Sequence, residues 1–326
     1  MKKRVKIFIG IVTFVIIFLL IINIIPPKKV VSNNPFLTDG LPMVCAHRGG
    51  GIKYPENTMK TFKWCVNDLN VDILEFDLHL TKDNYLVINH DNSINRTTDV
   101  ELYTGVSDDY YIKDHTLEEL KMFNYGYNFK VNEEYPYRYV VGENNINKPL
   151  VYENLGLSIT TIDELFSEFY ESHPNLLFII EIKDSGNRGV EAARIFYEIL
   201  LKYPNYLDRV VASSFNKEVE DHFKENYPSL HRGASVQSTA VFVATQYLRV
   251  NLFDFNNYSC LQLPLEMYGV NLTGNTIIKR AHRRGIAVQY WTINEEKDMR
   301  KLINKHVDAI MTDDPELLIE VLKEYK

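Results

Sequence analysis

Cysteine is scarce in this chain: three residues among 326, at Cys45, Cys65 and Cys260. An odd and scattered set builds neither a disulfide framework nor a metal site with regular ligand spacing, so each reads as a small buried apolar residue. Basic charge is also missing from most of the chain. Of 36 lysines and arginines, six lie in the first thirty residues, which hold no acid; the remaining thirty face all 43 acidic residues. A nucleic-acid binder needs a basic face to displace counterions, and an excess of thirteen acids argues against that class. Any anionic substrate must be met by local positive charge.

Long apolar runs are absent too, with one exception. Positions 7–25 are apolar apart from Gly10, Thr13 and Asn23, and at a rise of about 1.5 Å per residue they reach roughly 28 Å, close to a bilayer core of about 30 Å. The run exceeds a signal-peptide apolar region, and "NIIPPKKVVSNN" offers no small-x-small cleavage site. Residues 1–25 are therefore expected to be an uncleaved single-pass membrane anchor. Lys2, Lys3, Arg4 and Lys6 precede it and only Lys28 and Lys29 follow closely, which places the N-terminus inside and the following domain on the extracytoplasmic side. Residues 26–42, with four prolines, read as a linker.

From residue 43 to 326, short apolar runs alternate with helix-like segments. Strands are expected at 43–47, 73–80, 86–90, 177–183, 209–215, 231–237, 260–265, 286–291 and 308–312, and helices at 57–68, 161–172, 189–201, 218–226, 276–284 and 295–304. This rhythm predicts an α/β fold, a TIM-type (β/α)8 barrel. Nine runs are one too many for eight places. "TKDN" joins 73–80 to 86–90 too tightly for a parallel crossover, so that pair reads as a β-hairpin extension. Residues 92–158, rich in Tyr and Asn, break the rhythm and read as an insertion over one face.

In "EFDLHLTKDNYLVINHD" (75–91), Glu75 and Asp77 are two apart and leave one strand face. With the turn centred between Asp83 and Asn84, position 77 is expected opposite His90. Two carboxylates and an imidazole at one spot suit a hard cation bound through oxygen with proton transfer beside it. "AHRGG" ends the first strand with His47 and Arg48, and "EIK" ends another with Glu181 and Lys183. Acids, imidazoles and cations at strand ends suit a divalent cation and a phosphate. The second "HRG", at 231–233, has no acidic strand after it and reads as coincidence. His79 shares the parity of Glu75 and Asp77 but is expected as a surface hairpin residue; the insertion tyrosines are expected to pack, with a lid as the other reading.

The chain from His47 onward resembles the glycerophosphodiester phosphodiesterase family, a phospholipase C-like barrel group. The motifs, in family order, are "HRGG", "PENT" (55–58), the 75–91 stretch, "INRTT" (94–98), "TLEEL" (116–120), "ITTIDELF" (159–166), "EIK", "SF" (214–215), "WTIN" (291–294) and "TDDP" (312–315). The resemblance implies hydrolysis of glycerophosphodiesters to sn-glycerol 3-phosphate and an alcohol. It implies Glu75, Asp77 and Glu181 as ligands for one Mg²⁺ or Ca²⁺, with Mn²⁺ fitting as well. It further implies His47 and His90 as the acid/base pair, Arg48 and Lys183 on the phosphate, Glu56 as a supporting carboxylate, and Trp291 in the leaving-group pocket. His90 is the expected base and His47 the expected acid. A lysophospholipase D-type activity, a glycerolphosphate-polymer phosphodiesterase and a non-catalytic headgroup binder are the alternatives.

Overall fold

The computed structural model describes residues 2–24, 29, 33–141, 147–247 and 257–326. The apolar run forms one helix, Lys2–Ile24, long and apolar enough to cross a membrane and equally consistent by composition with a signal sequence.

The strands are β1 (Met43–His47), β2 (Ile73–Leu80), β3 (Leu86–Ile88), β4 (Leu177–Ile182), β5 (Val210–Ser213), β6 (His231–Arg232), β7 (Cys260–Leu263), β8 (Glu266–Met267), β9 (Val270–Asn271), β10 (Ala287–Tyr290) and β11 (Ala309–Thr312). Eight run in the order β6-β5-β4-β2-β1-β11-β10-β7, all paired in parallel. A single parallel bridge between Gly233 and Cys260 draws the two ends together. The result is a nearly closed barrel, as the alternation implies. β3 pairs antiparallel with β2, which disposes of the ninth strand. The small β8/β9 ribbon stands apart.

Side-chain parity builds two environments on each strand. Phe76, Leu78, Phe178 and Ile180 lie in the large apolar cluster that joins strands to helices, whereas Cys45, Ile73, Leu177, Ile179, Ala287, Ala309 and Met311 form a second cluster inside the barrel. Phe36 and Leu37, in the segment expected as linker, meet that inner cluster from below. Phe36 is fully buried in it, and the Asn34 side chain donates to the carbonyls of Ser259 and Gly285, at 2.8 and 2.9 Å.

Several expectations need correction. The hairpin pairs Leu78 with Ile88 and Leu80 with Leu86, so Asp77 faces Asn89 rather than His90. The cause is a five-residue connection: Thr81 N donates to Tyr85 O at 2.8 Å, Tyr85 N to Thr81 Oγ1 at 2.9 Å, and Asn84 takes a left-handed φ of 65°. β6 stops at Arg232, and a helix begins at Val236 where strand was expected through 237. A C-terminal helix, Pro315–Lys323, also went unread; Asp314 caps it by accepting from Leu317 N at 3.0 Å. The "ITTIDELF" segment does start a helix, Ile162–Phe169, through a reciprocal cap between Thr161 and Glu164. The insertion owns a small core of Ile94, Val100, Ile112, Leu120, Phe123 and Tyr125 against Val87 and Ile159. Its tyrosines divide, Tyr125 buried and Tyr139 exposed.

Candidate active site

Along β1, β2 and β4 the inward residues change from apolar to charged or titratable toward the C-terminal end. Ile73 gives way to Glu75 and Asp77, Ile179 to Glu181, and Cys45 to His47. A cavity of about 310 Å³ opens there, at the end of the barrel where this fold exposes its chemistry. His47, Arg48, Glu75, Asp77, His90, Glu181, Lys183 and Trp291 all line it, above Ile179 and Met311. Every one of these expected site residues is thus brought to one place; Glu56 stands behind Arg48, outside the lining.

The two histidines are held alike. His47 Nδ1 bonds Asp313 Oδ1 at 2.6 Å, and His90 Nδ1 bonds Asp91 Oδ1 at 2.8 Å. A carboxylate on Nδ1 fixes that nitrogen as the donor and leaves Nε2 for the cavity. His47 Nε2 lies 3.9 Å from Glu75 Oε2. Burial disfavours the His47 imidazolium, but Glu75 and the bond to Asp313 outweigh it and hold its pKa above the usual value. Asp313 is itself braced by Asn294 Nδ2 at 2.7 Å, while its backbone N–H donates to Asn294 Oδ1 at 2.9 Å. Neither Asp91 nor Asp313 was singled out from sequence. Their signal was present in "NHD" and "TDDP", without anything to say which side chain they would meet.

His79 is not the surface residue expected. It is 3% exposed, donates from Nε2 to the His90 carbonyl at 3.3 Å and lies 3.9 Å from Asp184. It therefore props the backbone that carries His90.

Arg48 adopts φ 51°, a conformation L-residues disfavour. Its N–H donates to Glu75 Oε2 at 3.0 Å and its guanidinium to Glu56 Oε1 at 3.3 Å. Arg96 grips the same Glu56 at 2.7 and 2.9 Å and Asp91 at 2.5 Å, so it ties "PENT" to the histidine loop. Burial works against the Glu56 carboxylate, yet Arg96 and Arg48 keep its pKa below the usual value. The next residue must be glycine: at Gly49, φ 77°, a Cβ would lie 2.6 Å from Thr61 Cγ2.

The acidic cluster is short of positive charge. Lys183 Nζ sits between Asp77 Oδ1 at 2.9 Å and Glu181 Oε2 at 3.0 Å. Burial and the Asp77 charge push Glu75 up to about 7, and burial raises Glu181 as well. Among the described residues no three acidic, histidine or cysteine side chains are grouped so as to hold an ion as they stand. The donor set nonetheless fits a hard cation. Its oxygens are carboxylate oxygens, and Asp77 Oδ2 is buried without any hydrogen-bond partner. Arg48 Nε is likewise buried and without a hydrogen-bond partner. The remaining wall, from Phe215, Val236, Pro264, Met267 and Trp291, is largely apolar.

Three comparisons with known proteins agree. A profile for the glycerophosphoryl diester phosphodiesterase family matches residues 47–317. A glycerophosphodiester phosphodiesterase from Caldanaerobacter subterraneus subsp. tengcongensis is 30% identical over 284 residues, covering 86% of this chain and 98% of the relative. A lysophospholipase D from Rattus norvegicus is 25% identical, covering 85% of each chain. Among solved structures, an Oleispira antarctica phosphodiesterase in complex with the product sn-glycerol-3-phosphate superposes with TM-score 0.61 at 22% identity, over 87% of this chain and 97% of that one.

Proposed function

The chain belongs to the glycerophosphoryl diester phosphodiesterase family, a family of phosphoric diester hydrolases, and on that premise we propose that its cavity hydrolyses glycerophosphodiesters to sn-glycerol 3-phosphate and an alcohol with one divalent cation bound. The observation that carries the reading is the meeting of two carboxylate-held histidines with Arg48, Lys183 and three carboxylates in one cavity. The solved relative that holds sn-glycerol-3-phosphate supports the same product.

Glu75, Asp77 and Glu181 would hold the cation, Mg²⁺ or Ca²⁺ with Mn²⁺ also suited to oxygen donors. A bound cation supplies charge stabilisation to the phosphoryl oxygens. Arg48, held by Glu56, and Lys183 supply further positive charge where the crowded transition state gains negative charge. His90 Nε2 takes the proton of the nucleophile, either water or the neighbouring glycerol hydroxyl. Water gives sn-glycerol 3-phosphate directly; the hydroxyl gives a cyclic phosphate that a second attack, by water, must open to sn-glycerol 3-phosphate. His47 Nε2 donates a proton to the departing alcohol, and the shift of its pKa above the usual value favours the protonated form that this role needs. Trp291 and the apolar wall receive the alcohol. We read the Lys2–Ile24 helix as a membrane anchor that leaves the barrel on the extracytoplasmic side.

The apolar wall favours one second reading, cleavage of lysophospholipids, as the relatives named lysophospholipase D suggest. The full chain in detergent, assayed on glycerophosphocholine and lysophosphatidylcholine beside His47→Ala and His90→Ala, separates the readings. Glycerol 3-phosphate from the first substrate, lost in both variants, supports the main proposal. Turnover of lysophosphatidylcholine alone would replace it with the second.

A further inference from the structure

The chain enters the barrel at the pole opposite the cavity. Asn34 binds the carbonyls of Ser259 and Gly285, which precede β7 and β10. Phe36 is fully buried among the first residues of several strands, including Ile73, Leu177, Cys260, Ala287 and Ala309. Thr38 N donates to Asp308 Oδ1 at 3.0 Å, just before β11. These contacts pin residues 34–38 to the barrel floor. The mouth lies past the strands' other ends, around His47, Lys183, Phe215 and Trp291.

From Ile24 to Asn33 the chain reaches at most about 30 Å when fully stretched. A compact domain of this length has a radius of gyration of about 19 Å and is therefore about 50 Å across. Turning the mouth toward the bilayer would require the chain to climb that distance from the floor along the barrel's side. The reach is too short.

Resting on the anchor proposed above, we infer that the barrel floor faces the anchoring bilayer and the mouth opens away from it, so that the substrate is a glycerophosphodiester arriving from the aqueous side and not a lipid lying in that bilayer. The exposed Phe215 and Tyr268 near the mouth, 64% and 96% accessible, then meet substrate or solvent rather than acyl chains. This narrows the lysophospholipid reading to molecules that have left the anchoring membrane.

The test uses the full chain in phosphatidylcholine and phosphatidylglycerol vesicles carrying an acceptor dye on the headgroups. All three native cysteines are buried, so a donor dye can be placed at Asp39→Cys on the floor or at Tyr268→Cys beside the mouth. The floor label is expected to transfer energy at least twice as efficiently; equal or stronger transfer from the mouth label overturns the inference, whether or not the protein turns over substrate. A second arm inserts thirty Gly and Ser residues between Ser32 and Asn33. Provided the detergent-solubilised protein cleaves a non-exchanging, very long-chain lysophospholipid, the extended chain is expected to cleave it in its own vesicle at least tenfold faster than the native chain, with glycerophosphocholine turned over equally by both. Where the solubilised protein does not cleave that lipid, the dye result alone decides. Equal cleavage of that lipid by the native chain contradicts the inference. Failure on both substrates defeats the catalytic proposal and leaves the dye result to judge orientation. Release of the chain from the vesicles removes the anchor, and the inference with it.

Discussion

His47 and Asp313, 266 positions apart, meet through a 2.6 Å hydrogen bond at Nδ1. The bond fixes the ring's donor nitrogen and, with Glu75, raises the imidazole's pKa against the opposing effect of burial. Asp313→Asn is expected to lower kcat by roughly 10²-fold and to lower the His47 pKa. A general acid works in its protonated form, so the alkaline limb of the pH–rate profile should move to lower pH. A shift of the acidic limb instead would make His47 the base.

The corresponding bond on the other histidine depends on Arg96. Its guanidinium joins Asp91 to Glu56 and is half exposed. Exposed pairs contribute about 0 to 1 kcal/mol, so Arg96→Ala should barely move the melting temperature. It should reduce kcat by at least tenfold, because Asp91 loses the partner that holds it against His90. A large loss of stability with unchanged turnover would reduce Arg96 to a structural clamp.

Protons and the proposed cation compete at Glu75. Its pKa is raised to about 7, chiefly by burial and then by Asp77, so below that pH the carboxyl is protonated in the cation's absence. Mn²⁺ affinity, followed by calorimetry or paramagnetic relaxation, should weaken about tenfold per pH unit as pH falls below about 7 and flatten above it. Glu75→Gln should abolish most of the binding. Affinity independent of pH from 6 to 8 would separate Glu75 from the ion.

Phe36 closes the barrel floor and is fully buried. Truncation to alanine should cost about 3 to 5 kcal/mol by urea unfolding, the loss expected for a core aromatic. A cost near zero would mean that residues 34–38 do not hold the floor in solution.

Much of this was legible locally. Strand parity set Glu75 with Asp77 and Glu181 with Lys183 because alternation along a strand needs no knowledge of neighbours. The hairpin followed from a connection too short for a crossover, but its register depended on whether the turn held four or five residues. Thr81 Oγ1 and the left-handed Asn84 decided that point. Asp313 and Asp91 escaped notice because their roles arise from long-range closure of the barrel and from a loop's return path. His79 was misjudged for a related reason: only the assembled fold shows it against Asp184 and the His90 carbonyl. The segment after β6 misled through "ASVQ", whose alternation suits a strand although the chain turns into the helix Val236–Tyr247.

The most direct test of the catalytic account is ³¹P NMR of glycerophosphocholine incubated with the full-length protein in detergent, first with excess EDTA and then with Mg²⁺, Ca²⁺ or Mn²⁺ restored. The account requires conversion of the diester resonance to that of sn-glycerol 3-phosphate only when a cation is present. Undiminished conversion in EDTA, or none with any of the three ions, would contradict it.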